Sequence, residues 1–184
     1  MWQHRWVHVG EHGFGAALLT DSTYGHDVRR HTRADGGTTT TLRLSLLRAP
    51  HSPDPEADRG RHIFAYALEA GADIGGAAAG GYALSLPLRV VPGGAGAPLV
   101  TVSHPDVLVE AVKLADDRSG DVVVRLYESR GGAVRAAMGA GFAVDSAAVT
   151  DLLEEPVTEL DVVEGRVALA LRPFQIVTVR LRRS

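Results

Sequence analysis

The chain has no cysteine among its 184 residues. That excludes a disulfide framework and any thiolate metal site, so the fold is held by packing and hydrogen bonding. Aromatic residues make up only 5% of the chain, too few for a large stacking platform. No large excess of one charge exists: 19 Lys and Arg stand against 22 Asp and Glu, a formal net charge of -3. This balance implies no sequence-independent attraction to nucleic acid or to an anionic membrane, and a neutral partner fits it at least as well. Residues 1–10 carry Trp2, His4, Arg5, Trp6 and His8, which is neither a secretion signal nor a membrane span, so the expected location is cytoplasmic. There is also no repeat of fixed period, which leaves a solenoid or propeller unsupported.

What is present is alternation. Leu42, Leu44 and Leu46 share one side, with Arg43 and Ser45 on the other, as a half-buried strand requires. Val122, Val124 and Leu126 repeat the pattern, as do Val167, Leu169 and Leu171 and then Val177, Val179 and Leu181. Pro173 prevents the last two sets from forming one strand. Further strands are predicted at residues 2–9, 15–20, 62–68, 99–103 and 107–114. One helical turn is predicted, residues 147–155, where Asp151 precedes Leu152-Leu153-Glu154-Glu155 and Pro156 stops propagation. The fold class is therefore all-β, built of antiparallel β-sandwich units.

Two stretches rich in glycine and alanine, residues 70–81 and 92–98, offer few packing side chains and read as flexible. They flank an apolar segment, residues 82–91, read as a crossover strand. The division expected is a first β unit at 1–91, a Gly/Pro-rich linker at 92–98 and a smaller terminal β-sandwich at 99–184.

Polar chemistry gathers where strands run into loops. Asp21 to Asp27 is the better candidate. Gly25 permits a positive φ and a tight turn, which would hold Tyr24 and His26 on either side of the tip while Asp21 and Asp27 accept hydrogen bonds. That set suits a sugar, whose ring stacks on an aromatic face and whose hydroxyls need fixed partners. The plain alternative is an Asx-turn that closes a hairpin. Asp54, Glu56 and Asp58 lie two apart and, if the loop is extended, share a face. Pro53 and Pro55 stiffen that segment and Arg59 and Arg61 stand ready to pair, so a structural loop is the favoured reading. Arg48 ends an alternating strand before Ala49-Pro50, and its guanidinium could fork onto a carboxylate or donate to substrate hydroxyls. His4, Trp6 and His8 would share one face of a strand, a docking surface more than a zinc site, and the other histidines are scattered, so no metal ligand is assigned. Tyr127 to Gly132 reads as a turn, Arg180, Arg182 and Arg183 as a solvated basic tip, and Pro173 with Phe174 as a plug for the last sandwich.

Six blocks, in order and spacing, carry a resemblance: Asp-Ser-Thr-Tyr-Gly-His-Asp-Val from Asp21, Leu-Arg-Leu-Ser-Leu-Leu-Arg-Ala-Pro from Leu42, Pro-Asp-Pro-Glu-Ala-Asp-Arg-Gly-Arg-His from Pro53, Val-Leu-Val-Glu-Ala-Val-Lys from Val107, Val-Arg-Leu-Tyr-Glu from Val124 and Leu-Arg-Pro-Phe-Gln-Ile from Leu171. Together they resemble the C-terminal β region of α-mannosidases of glycoside hydrolase family 38, over nearly the whole chain. The resemblance implies a retaining mannosidase whose zinc, or another divalent cation, and whose carboxylate nucleophile sit in an N-terminal barrel-like domain. A retaining site needs two carboxyl groups about 5–5.5 Å apart, and neither is assigned here: catalytic residues none, metal ligands none, cofactors none in this segment.

The resemblance further implies that residues 1–91 are the end of a large β-sandwich, that the Asp21 to Asp27 loop leans over the mannose pocket, and that Arg48 stands at its edge. Partners implied are the catalytic domain and mannose-containing glycans, with a homo-oligomer open and no nucleic acid or membrane. Two other readings remain: a free-standing carbohydrate-binding module stacking sugars on Trp2, Trp6, Tyr24 or Tyr66, and a structural β-sandwich mediating subunit contacts. If the first unit lacks partner strands, Trp2, Trp6 and the face of Leu42, Leu44 and Leu46 should be poorly buried.

Overall fold

A computed structural model describes residues 1–86, 88–94 and 96–184. It divides into two compact units, Met1–Val90 and Val91–Ser184. The segments 82–91 and 92–98 include Pro87 and Ala95, which lie outside the described residues.

In the first unit, β1 (Trp6–Glu11) and β2 (Phe14–Thr20) form a hairpin about Gly13, whose φ of +80° suits a residue without a Cβ. β5 (Tyr66–Ala70) pairs antiparallel with the other side of β2, giving a sheet of order β1-β2-β5. A separate two-stranded ladder joins β3 (His26–Thr32) to β4 (Thr38–Leu44). Its turn is closed by Arg33 and Asp35, with the Gly37 amide donating to Asp35 Oδ1 at 2.9 Å.

The glycine-alanine stretch is no flexible boundary, and this overturns the reading of residues 70–81. It forms α1 (Ile74–Ser85), capped by Asp73, whose Oδ1 accepts the Gly76 amide at 2.7 Å. The helix packs Ala77 on Ala17 and Leu19 of β2. Its glycines mark close approach. A Cβ at Gly80 would lie 2.8 Å from Leu19 Cδ1, and one at Gly81 would lie 3.0 Å from Trp6 Cδ1. Among the described residues of 82–91 no crossover strand is formed either: Tyr82 to Ser85 complete the helix, and Leu88 is 99% exposed. Replacing Asp73 by alanine is expected to cost the first unit about 1 kcal/mol, read from the shift of its denaturant midpoint.

Helix α1 covers one face of β1-β2-β5, while Phe14, Tyr66 and Leu68 are exposed. Trp2 is 83% exposed and Leu46 is exposed as well, whereas Trp6, Leu42 and Leu44 are half-buried. Trp6 owes its partial cover to α1.

The second unit is a sandwich. Its strands are β6 (Val100–Val102), β7 (Val107–Leu114), β8 (Val122–Glu128), β9 (Val134–Ala140), β10 (Val144–Thr150), β11 (Pro156–Leu160), β12 (Val162–Val163), β13 (Arg166–Leu171) and β14 (Ile176–Arg183). One sheet has the order β11-β10-β14-β8-β7 and the other β12-β13-β9-β6, every pairing antiparallel. Alternate residues of both sheets meet in one core that includes Val124, Leu126, Met138, Val167, Val179 and Leu181. Among the described residues the chain is all-β apart from α1.

The helical turn predicted at 147–155 does not form. Ala147 to Thr150 belong to β10, and Asp151 closes a tight turn by accepting the amides of Leu153 and Glu155 on Oδ1 at 2.8 and 3.0 Å. An aspartate followed by leucines serves as an Asx-turn here instead of a helix cap, and Pro156 opens the edge strand β11, where no ladder amide is missed. The basic tip is also corrected. Arg180 is only 18% exposed at its side chain, donating from Nε to Asp121 at 2.8 Å and from Nη2 to Asp117 at 2.6 Å. Asp117 is held down to about 2 by the amide and hydroxyl of Ser119 and by Arg180.

Candidate functional site

The turn after β2 is set by hydroxyls. Thr20 and Thr23 share a buried Oγ1···Oγ1 hydrogen bond of 2.6 Å, and the Thr23 amide donates to Thr20 Oγ1 at 3.2 Å. Asp21 projects into solvent. Its Oδ1 accepts the Ser22 hydroxyl at 2.6 Å and the Ala65 amide at 3.3 Å, and these hold its carboxyl below the usual range, the hydroxyl most of all. The backbone of Asp21 also donates to Ala65, so the turn is tied to the segment entering β5.

Tyr24 is exposed and stacks on the His4 imidazole, with ring centres 6.1 Å apart and planes 22° from parallel. Its carbonyl accepts the Gln3 amide at 2.8 Å. Gly25 does not take the positive φ expected of it. It sits in a β-bridge with Trp2, and its carbonyl accepts the Ser45 amide at 2.8 Å. The need for glycine is spatial, since a Cβ there would lie 3.1 Å from Ser45 Cβ.

His26 does not stand at the tip. It opens β3 and is buried, with Nδ1 lacking a hydrogen-bond partner among the described residues. Asp27 turns outward and pairs with Arg29 at 3.1 Å and with Arg43, its cross-strand neighbour, at 3.3 Å. It therefore accepts from guanidinium groups, where turn amides or hydroxyls had been expected.

Arg48 follows Ser45 by three residues, so the Ser45–Gly25 bond anchors its segment beside the turn. It is exposed and makes no ion pair with the acidic loop among the described residues. The loop is tied down through the backbone instead: Asp58 Oδ2 accepts the Ala49 amide at 2.9 Å. Asp54, Glu56 and Asp58 do not share an extended face. Asp54 Oδ1 accepts the Glu56 amide at 2.9 Å, Glu56 pairs with Arg59 at 2.5 Å, and Asp58 has a φ of +60°. Consecutive turns send the three carboxylates to three local tasks.

The expected face of His4, Trp6 and His8 is broken for a related reason. Arg5 adopts a φ of +70°, which folds His4 back into a bridge with Trp6. His4 then meets Tyr24, and His8 Nε2 bonds the Ala72 carbonyl at 2.8 Å. Sequence reasoning did not place His4, Arg43 and Ser45 against the turn, since their contacts depend on the bridge to Gly25 and the β3–β4 register. A groove of the first unit, about 330 Å³, is lined by Val9, Phe14, Ala16, Arg30, Thr38 and Thr40 among others, and by none of the residues singled out from the sequence.

In the second unit Glu128 is wholly buried. Burial pushes its carboxyl up, but the amides of Phe174, Arg130, Gly132 and Gly131 outweigh that and hold it down to about 2. Glu154 accepts from Lys113 at 2.5 Å and from the Asp116 amide at 2.9 Å, and both bonds lower its carboxyl. These groups are committed to folding. Among the described residues no three His, Asp or Glu side chains converge as a metal site would require.

The chain is thus an antiparallel sandwich preceded by a β unit that exposes polar turns. Residues 2–56 match the model described as glycosyl hydrolases family 38 C-terminal domain, and residues 106–179 match that of the family 38 C-terminal beta sandwich domain. The chain belongs to glycosyl hydrolase family 38, as part of its C-terminal β region. It is 38% identical over 193 residues to alpha-mannosidase 2C1 of Homo sapiens, covering 98% of this chain and 18% of that protein. Alpha-mannosidase G of Dictyostelium discoideum is 32% identical over 143 residues, covering 71% of this chain and 12% of that protein. The crystal structure of an alpha-mannosidase from Enterococcus faecalis V583 shares the fold with a TM-score of 0.65 at 20% identity, over 99% of this chain and 21% of that one. The chain thus spans about a fifth or less of the length of the relatives it matches.

Proposed function

We propose that this chain is the non-catalytic β region of an α-mannosidase, bracing an N-terminal catalytic domain and forming one rim of its mannose pocket. In this reading Asp21, Tyr24, Asp27 and Arg48 face substrate, while Gly25 and His26 fix the turn from behind. The acidic loop of Asp54, Glu56 and Asp58 anchors the Arg48 segment. Residues 92–98 join the end of the large β-sandwich to the terminal one. Hydrolysis, with retention, belongs to the complete enzyme. In this reading a zinc or other divalent ion of the complete enzyme takes its ligands from the catalytic domain. The partners are the catalytic domain and mannose-containing glycans, a homo-oligomer is compatible with this role, and the location is cytoplasmic. Among the described residues no helix is long and apolar enough to cross a membrane.

The observation that carries the reading is Arg48. A guanidinium in solvent with no carboxylate partner among the described residues, on a segment bonded to the turn, is available to a partner outside the chain. Exposed Tyr24, with one face on His4, supplies the apolar surface a sugar ring needs. The test is Arg48→Ala in the assembly of this chain with its catalytic domain. Loss of a charged hydrogen bond to substrate predicts a fall in kcat/KM of roughly 10–100-fold on an aryl α-mannoside. Unchanged kcat/KM would remove Arg48 from the rim. Mannoside turnover by the 184-residue chain alone would overturn the whole reading.

A further inference from the structure

We infer that the terminal sandwich carries a carbohydrate contact of its own, a mannoside-sized platform made by Phe174 with the Asp106–Arg130 pair. Phe174 was expected to plug the sandwich, yet the residue is 69% exposed. Its backbone lies at φ +56°, a left-handed conformation rare for a bulky residue and sustained only where surroundings enforce it.

The enforcement is visible. The Phe174 amide donates to Glu128 Oε2 at 2.9 Å, and the same buried carboxylate takes the Arg130 and Gly131 amides at 2.8 Å each. One edge of the ring rests on Gly131, where a Cβ would lie 2.7 Å from Phe174 Cζ and where φ is +81°. The ring is thus oriented before any ligand arrives, which cuts the ordering cost of binding.

Hydrogen-bonding groups stand beside it. Arg130 Nη1 lies 3.6 Å from Asp106 Oδ1, and His104 Nδ1 lies 3.9 Å from Asp106 Oδ2, all three side chains partly open to solvent. Ser129 fixes the Asp106 backbone through its amide and hydroxyl at 2.9 and 3.0 Å. Ile176, two residues further along the chain and in register with Tyr127, is a second exposed apolar side chain. A flat apolar ring next to a carboxylate and a guanidinium complements a pyranose, whose C–H face stacks while neighbouring hydroxyls bridge acceptor and donor. An anion is disfavoured by Asp106, and one ring beside an ion pair is narrower than a protein partner needs. The choice of mannose rests on the proposed role in an α-mannosidase.

The experiment is a titration of the full 184-residue chain, followed by amide NMR, with methyl α-mannoside and with an α-mannobiose. Saturable shifts are expected at residues 129–132 and 174–176, with Kd of about 1–10 mM. Phe174→Gly, which removes the ring and relieves the backbone, should weaken binding at least ~10-fold, while Phe174→Tyr should keep it. Absence of saturable shifts in these two loops, or equal binding by Phe174→Gly, would overturn the platform. Shifts confined to residues 20–27 and 48 would also overturn it while supporting the first unit's role, so the two readings fail separately.

Discussion

Glu128→Ala is expected to lower the thermal midpoint of the second unit by roughly 10–15 °C. Four backbone amides from two loops converge on this carboxylate, and truncation leaves these part-buried donors without their acceptor. Glu128→Gln keeps the shape but turns an NH2 group toward amide donors, so it should also destabilise. The two variants differ from the parent in their pH response. The folded carboxyl titrates at about 2 against an ordinary 4.5, so its stabilisation is complete above 4.5 and is lost as pH falls toward 2. The parent should lose stability steeply across that window. Glu128→Gln should be flatter, keeping only the share from groups such as Asp117, which also titrates at about 2. Calorimetric scans at several acid pH values would check this, and parallel curves for parent and variant would refute it.

Gly15→Ala is expected to destabilise the first unit by ~3 kcal/mol through overpacking. A Cβ there would lie 2.3 Å from the Ala72 carbonyl oxygen and 2.4 Å from His8 Nε2, and would force apart the His8–Ala72 hydrogen bond. The backbone oxygen has no rotamer to yield with, and it lies one residue before the cap of α1. Gly13→Ala is the control. It has φ +80° and nothing within 4 Å of its Cβ, so only backbone strain applies, about 1 kcal/mol. Urea unfolding of both variants would separate the effects, and equal losses would show that the approach to Ala72 is not constraining.

Strands with a clean period of two were legible in the sequence. Residues 107–114 were predicted with the bounds that β7 takes, and Val122, Val124 and Leu126 mark β8 because both lie over one core. Strands β9 and β10 were not anticipated. Small residues such as Ala136, Ala137 and Gly139, or Ser146, Ala147 and Ala148, carry little hydrophobic contrast between faces. Helix α1 was missed for a physical reason: four glycines among its twelve residues argue against helix by propensity, while the closeness of Leu19 and Trp6 makes glycine the residue that fits. The turn of Asp21 to Asp27 was found from its polar crowding. What its members do was less legible, since the burial of His26 and the pairing of Asp27 with Arg43 follow from the β3–β4 register. The acidic loop misled because a spacing of two implies a shared face only in extended chain, and Asp58 is left-handed.

The amides gathered on Glu128 come from the β8–β9 and β13–β14 connections, more than forty residues apart in the chain. Such connections are ordinarily the places where insertions accumulate and where an engineer would graft new sequence. Here neither can be lengthened or exchanged by itself, because each supplies donors to one shared acceptor. Variation at this corner is therefore confined to side chains on a frozen backbone, and specificity there would be altered by replacing Phe174, Arg130 or Asp106 in place.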